Sequence, residues 1–155
     1  ETYRNRLNII KLAHAQVAIS LANEGKKEKG KEILQRFDKK VSASNLPYGM
    51  TSNRGNMHNA ISSEFLRAAY MCDDYSLAKK ISLSLKKDLR QQLNYYRLLG
   101  DESITDEQLA QNAYLQLEGK AADLSYRQSS FLNDILSSFQ ILRQVESWET
   151  EMKSK

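Results

Sequence analysis

Apolar side chains recur three and four residues apart near the start of the chain, at Leu7, Ile10, Ala13 or His14, Val17 and Leu21. This spacing is the stripe of an amphipathic helix, and it predicts that these positions face a core. Gly25 stands where the stripe ends, as a glycine that accepts the left-handed geometry of a helix C-cap does. A second stripe follows at Ile33, Leu34, Phe37 and Val41, after a turn so short that the two helices must pack antiparallel. Between Ser42 and Asn56 the period dissolves into Ser, Asn, Gly and Pro47, which predicts a loop.

A third helix is expected over 57–72, with Ile61, Phe65, Ala68 or Ala69 and Cys72 inward. Asp73-Asp74 can cap a fourth, whose stripe runs Leu77, Ile81, Leu85, Leu89, Leu93 and Tyr96 before Gly100. Thr105 and Gln108 have the spacing of a capping box, so a fifth helix should open there with Leu109, Ala113 and Leu117 facing inward. The last helix is expected over about Ser125 to Lys153, with Phe131, Ile135, Phe139, Leu142, Val145, Trp148 and Met152 on one side. The expected core therefore includes Val17, Leu21, Leu34, Phe37, Phe65, Ala69, Ile81 and Leu85. The fold class is all-α, a single helical-repeat domain over 1–155 with hairpins at 3–41 and 57–98 and C-terminal helices over 105–153.

Composition agrees. With 6 glycines and 1 proline in 155 residues, the chain lacks the punctuation that many short strands require. The net charge of +4 is spread among interleaved acidic residues, a weak pointer to an anionic partner. One cysteine, Cys72, excludes an intrachain disulfide and a zinc site built on several thiolates. No apolar run approaches the roughly 18 residues of a membrane span, and the first residues, Glu1-Thr2-Tyr3-Arg4, carry no apolar signal-peptide region. A first residue other than methionine suggests a piece of a longer protein.

The second hairpin can be laid on the first. Gly25-Lys26-Lys27 then aligns with Asp73-Asp74-Tyr75, Gly30 with Ala78, and Ile33 with Ile81. Small residues at such positions let paired helices approach closely, the pattern of tetratricopeptide-like repeats, although the loop around Pro47 makes the spacing longer than the usual ~34 residues. The succession Leu21-Ala22-Asn23-Glu24-Gly25-Lys26, Leu46-Pro47-Tyr48, 68–74 and Leu93-Asn94-Tyr95-Tyr96 resembles the C-terminal region of large bacterial membrane proteins. Their multi-spanning N-terminal part is similar to protein O-mannosyltransferases of the membrane-embedded glycosyltransferase class. The resemblance covers roughly Tyr3 to Gly100. It implies a periplasmic helical-repeat appendage, lying outside the cytoplasm and attached to a sugar-transferring part whose acidic catalytic loop this chain does not contain.

Candidate chemistry is sparse. His14 and His58 are far apart, and neither has a second ligand at metal-binding spacing. Cys72 is followed by Asp73 and Asp74, whose field raises a thiol pKa and argues for packing rather than nucleophilic work. The runs Lys26-Lys27-Glu28-Lys29-Gly30-Lys31 and Lys86-Lys87-Asp88-Leu89-Arg90 are interrupted by acids and read as solvated helix faces, so a nucleic acid is disfavoured. No phosphate loop, nucleophile elbow or metal-binding helix motif is present. The sequence thus predicts no catalytic residue, no cofactor and no metal, and a chain that acts by contact. Tyr48, Met50 and Arg54 of the loop and Tyr95 of the fourth helix are the candidate contact residues, although Leu46 and Tyr48 can equally seal a hairpin edge. The partner is a protein or peptide, or the membrane-embedded part of the same polypeptide. The alternative is a free-standing, cytoplasmic helical-repeat adaptor.

Overall fold

The computed structural model describes residues 2–43, 46–51 and 55–153. These fold into α1 (Thr2–Asn23), α2 (Lys27–Ala43), α3 (Met57–Met71), α4 (Tyr75–Leu98), α5 (Asp106–Leu117), α6 (Tyr126–Ser129) and α7 (Leu132–Lys153), with no strand among the described residues. The protein is all-α. It divides into two compact units, one of residues 1–50 and 57–85, the other of 51–56 and 86–155. Helix α4 supplies its first half to one and its second half to the other.

In the first unit α1 packs on both α2 and α3. The turns that end α1 and α3 are built alike. At the first, Gly25 has φ 80°, Lys26 N–H bonds the Leu21 carbonyl at 2.7 Å, and Gly25 N–H bonds that of Ala22 at 3.0 Å. At the second, Asp73 has φ 58°, Asp74 N–H bonds the Ala69 carbonyl at 2.9 Å, and Asp73 N–H bonds that of Tyr70 at 3.1 Å. Both are left-handed caps that satisfy the last carbonyls of a helix. Asp74 then accepts from Leu77 N–H at 3.2 Å and opens α4. Gly30 sits against α1, where an added Cβ would lie 3.1 Å from the Ala18 carbonyl oxygen and meet the Cys72 sulfur.

Leu34, Phe37, Phe65, Ala69, Ile81 and Leu85 are buried as the stripes predict. Helix α1 is rotated from its predicted register. Val17 is 49% exposed, Ile10 is also exposed, Leu21 is half-buried, and the inner face is Asn8, Lys11, Ala15 and Ala18. Two alanines allow the close approach to α2 and α3 that valine and isoleucine would prevent, and two polar side chains enter the core with them.

In the second unit α5 packs on α7, with Leu109, Ala113, Ile135, Leu142 and Val145 buried, while Leu117 is exposed rather than inward. The capping box at Thr105 and Gln108 is formed. The final helix is interrupted. Ser125 and Gln128 make a second capping box around α6, and Ser130 and Phe131 close that turn by bonding back to Arg127 and Gln128. The interruption frees Gln128 to serve α4: its Nε2 donates to the Tyr96 carbonyl at 3.0 Å, and Ser125 Oγ donates to that of Leu99 at 2.8 Å. Carbonyls at the end of α4 thereby gain the partners a helix terminus otherwise lacks.

Candidate functional site

Two tyrosine-centred clusters result, one closed and one open. In the first unit, the loop after α2 is pinned at every residue from Pro47 to Met50. His58 Nε2 donates to the Pro47 carbonyl at 3.1 Å, and Ser62 Oγ donates to that of Tyr48 at 2.7 Å. Gly49 N–H donates to Ser84 Oγ at 2.8 Å, and Met50 N–H donates to Asn59 Oδ1 at 2.9 Å. A side chain at position 49 would collide with the Ser84 carbonyl, so glycine is required by the close approach of the loop to α4. The Tyr48 ring stacks 5.7 Å from Phe65, and its hydroxyl donates to Asp38 Oδ1 at 2.7 Å. Burial and the Asp38 carboxylate push its phenol pKa upward.

The structure thus turns Tyr48 inward, 3% exposed, and leaves it no contact surface; Met50 is half-buried, and Arg54 lies outside the described residues. Under this loop is a group the apolar periodicity did not single out. Lys11 is 2% exposed and donates to Ser62 Oγ at 2.9 Å, with its ammonium 5.4 Å from the Tyr48 ring centre. Burial without a carboxylate lowers its pKa to about 8. His58 beside it is held down to about 4, first by burial and then by the Lys11 charge. A lysine bonded to a serine is the arrangement of a nucleophilic dyad. Here Ser62 is fully buried and gives its proton to a main-chain carbonyl, so the pair anchors the loop.

The open cluster belongs to the second unit. Asp88, Gln92, Tyr95 and Tyr96 fall on adjoining faces of α4, and Phe131 and Asp134 join them at the start of α7, around a pocket of about 460 Å³. Its floor is fixed by amide and hydroxyl groups. Gln92 Nε2 donates to Asn56 Oδ1 at 2.7 Å and to Asp88 Oδ2 at 2.8 Å, while Asn56 Nδ2 donates to Ser138 Oγ at 2.8 Å. Ser138 Oγ in turn donates to Gln92 Oε1 at 3.0 Å, which closes the ring. Thr51 Oγ1 donates to Asp88 Oδ1 at 3.2 Å.

Tyr96 is buried and its ring packs 5.3 Å from Phe131; Tyr95 meets both rings edge-on, at 5.6 and 6.4 Å, and remains 53% exposed. Burial, followed by the Asp134 charge, pushes the Tyr96 hydroxyl up to about 12. Among the described candidate contact residues, Tyr95 lines this pocket and Tyr48 and Met50 do not. Asp88, Phe131 and Asp134 were not singled out, because their grouping depends on the break before α7 that periodicity does not foretell.

The remaining candidates are structural in their contacts. His14 Nδ1 donates to the Ile10 carbonyl at 2.7 Å and its ring lies 5.1 Å from Phe37. Cys72 is buried, its thiol pushed upward by burial and then by Asp73 and Asp74. Among the described residues no group of three metal-ligating side chains occurs, and no helix is long and apolar enough to cross a membrane.

No family model matches the chain, and neither a curated protein nor a solved structure is significantly similar to it.

Proposed function

We propose that the chain is an interaction module that works by contact, with the open aromatic pocket at Tyr95 as its contact site. The observation that carries this reading is a large aromatic residue, 53% exposed, at the mouth of a pocket whose floor is fixed by a closed ring of hydrogen bonds. A rigid floor under an accessible aromatic anchor is what a hot spot requires, because little ordering is left to offset on binding. The packing of α1 on both α2 and α3, and the like turns at Gly25 and Asp73, support a tetratricopeptide-like arrangement of the hairpins.

The attachment of this module to a membrane-bound, glycosyltransferase-like protein, outside the cytoplasm, is part of the proposal and rests on the resemblance of residues 3–100. A photo-crosslinking residue placed at Tyr95 in the full gene product should give a discrete adduct that the same residue at the exposed Tyr126 does not give. Identical labelling from both positions would overturn the contact site. Turnover of a lipid-linked sugar donor by the isolated chain would overturn the non-catalytic reading.

A further inference from the structure

We infer that the outer face of α1 pairs with the same face of a second copy of the chain, antiparallel, so that Arg6 of each copy meets Glu24 of the other. This surface lies on α1 and goes beyond the contact site at Tyr95.

Helix α1 carries apolar side chains on both sides. Its inner face packs on α2 and α3 through Ala15 and Ala18, yet Tyr3, Ile9, Ile10 and Val17 are turned out, with exposures of 63, 69, 44 and 49%. No acidic residue occurs from Thr2 to Asn23. Helix α2 shows what a solvated face looks like in the same unit, since it turns out Glu28, Glu32, Arg36 and Lys40. A helix that is apolar all round is one that becomes covered, and an exposed apolar strip rimmed by polar residues marks an interaction surface.

The two ends of the strip indicate what covers it. Arg6 and Glu24 are both exposed and stand 18 residues apart, about five turns at 3.6 residues per turn, so they lie on one line along the face. Glu24 keeps that line because its N–H still bonds the Ser20 carbonyl at 3.1 Å. Its carboxylate meets Lys26 at 3.3 Å with both side chains more than half exposed, a contact worth little in water and easily exchanged.

A second copy running the opposite way brings Arg6 to Glu24 at both ends of the contact. The same register sets Ile10 opposite Ser20 and Ala13 opposite Val17, so each large apolar side chain meets a small one and the helices can interdigitate. Positions 6, 10, 13, 17, 20 and 24 alternate four and three apart, the spacing of a seam between paired helices. Parallel pairing would set arginine on arginine and glutamate on glutamate. An anionic lipid surface would be repelled at Glu24. A two-fold pairing satisfies both ends with one patch used twice.

Sedimentation velocity of the full chain, from about 1 to 200 μM at low salt, tests this. One helix against one helix is a small interface, so a dimer should form at roughly 10 to 100 μM and be absent near 1 μM. V17D, which puts a carboxylate on each copy in the middle of the strip, should abolish the dimer, while thermal unfolding at about 1 μM shows the fold intact. R6E and E24R should each weaken it about tenfold, and the double variant R6E/E24R should restore it, as should mixing the two single variants. A chain that stays monomeric to 200 μM overturns the proposal, and so does a dimer that V17D leaves unchanged. Single reversals without effect, or a double variant no better than either, overturn the antiparallel pairing. Flotation of a monomeric chain with phosphatidylglycerol vesicles, lost in V17D, would give the face to a lipid surface and overturn self-pairing.

Discussion

Tyr48 and Tyr95 are alike as residues and opposite in use. Tyr48 lies under a loop pinned by four hydrogen bonds, with its ring on Phe65, its hydroxyl on Asp38 and a lysine ammonium near its face. Tyr95 stands at the mouth of a pocket with one edge on two inner rings and half its surface in solvent. The contrast shows that a tyrosine beside acids and amides does not declare its role by type. What decides is whether the chain itself supplies the cover.

The sharpest way to break this comparison is to remove the ring beneath each tyrosine. F65A empties a fully buried site between Phe37 and Tyr48, and should cost about 3 to 5 kcal/mol by urea unfolding. F131A acts on a half-buried ring, so its loss of stability should be clearly smaller. Equal costs would mean that the second site is as much a core as the first.

Most of the helices were legible in the sequence because period and caps speak to local geometry. The Thr105 to Gln108 box, the glycine at 25 and the inward Leu34, Phe37, Phe65 and Ile81 all follow from spacing alone. Among the described residues, the open site was legible at Tyr95. Its other walls depend on Gln128 reaching across to the end of α4 and so breaking the last helix, a contact 32 residues away in sequence that no local pattern carries. Lys11 was hidden for a different reason: a lysine on a predicted helix is assigned to solvent, and here the small residues on α1 turned it inward.

Lys11 also gives the closed site a pH dependence that the open site does not share. With a folded pKa of about 8 against 10.5 when exposed, the unfolded chain binds more protons between those values, so stability rises with pH across that window. The gain should be about 3 kcal/mol; it should be absent from the curve of K11M, a variant more stable than the native protein at neutral pH, and should therefore appear in full in the difference between the two. On the acid side His58 works in the same sense. Its folded pKa of about 4 against 6.5 means that stability falls as pH drops through that interval. A flat difference curve for K11M from pH 8 to 10.5 would show that the lysine reaches water.

The two hydroxyls should separate the sites more gently. Y48F removes a 2.7 Å bond to Asp38 in a buried setting and should cost about 1 to 2 kcal/mol. Y95F changes an exposed side chain and should stay within about 0.5 kcal/mol. A cost at Tyr95 equal to that at Tyr48 would place its hydroxyl in the hydrogen-bonded frame and remove the distinction between cover and contact.

The smallest effect is expected where the predicted and observed registers of α1 part. Val17 belongs to the predicted core stripe, yet it is 49% exposed, and its neighbours on the same outer face, Tyr3 and Ile10, are exposed too. Apolar residues in α1 occur on both faces, so their period alone cannot choose between them; the choice falls to Ala15 and Ala18, which let α2 and α3 come close. V17S should therefore shift stability by no more than about 0.5 kcal/mol, while A18V, which adds bulk where Gly30 and Cys72 press on α1, should cost about 1 to 3 kcal/mol. Thermal melts of the two variants decide the register directly, because a helix turned to bury Val17 would reverse their order.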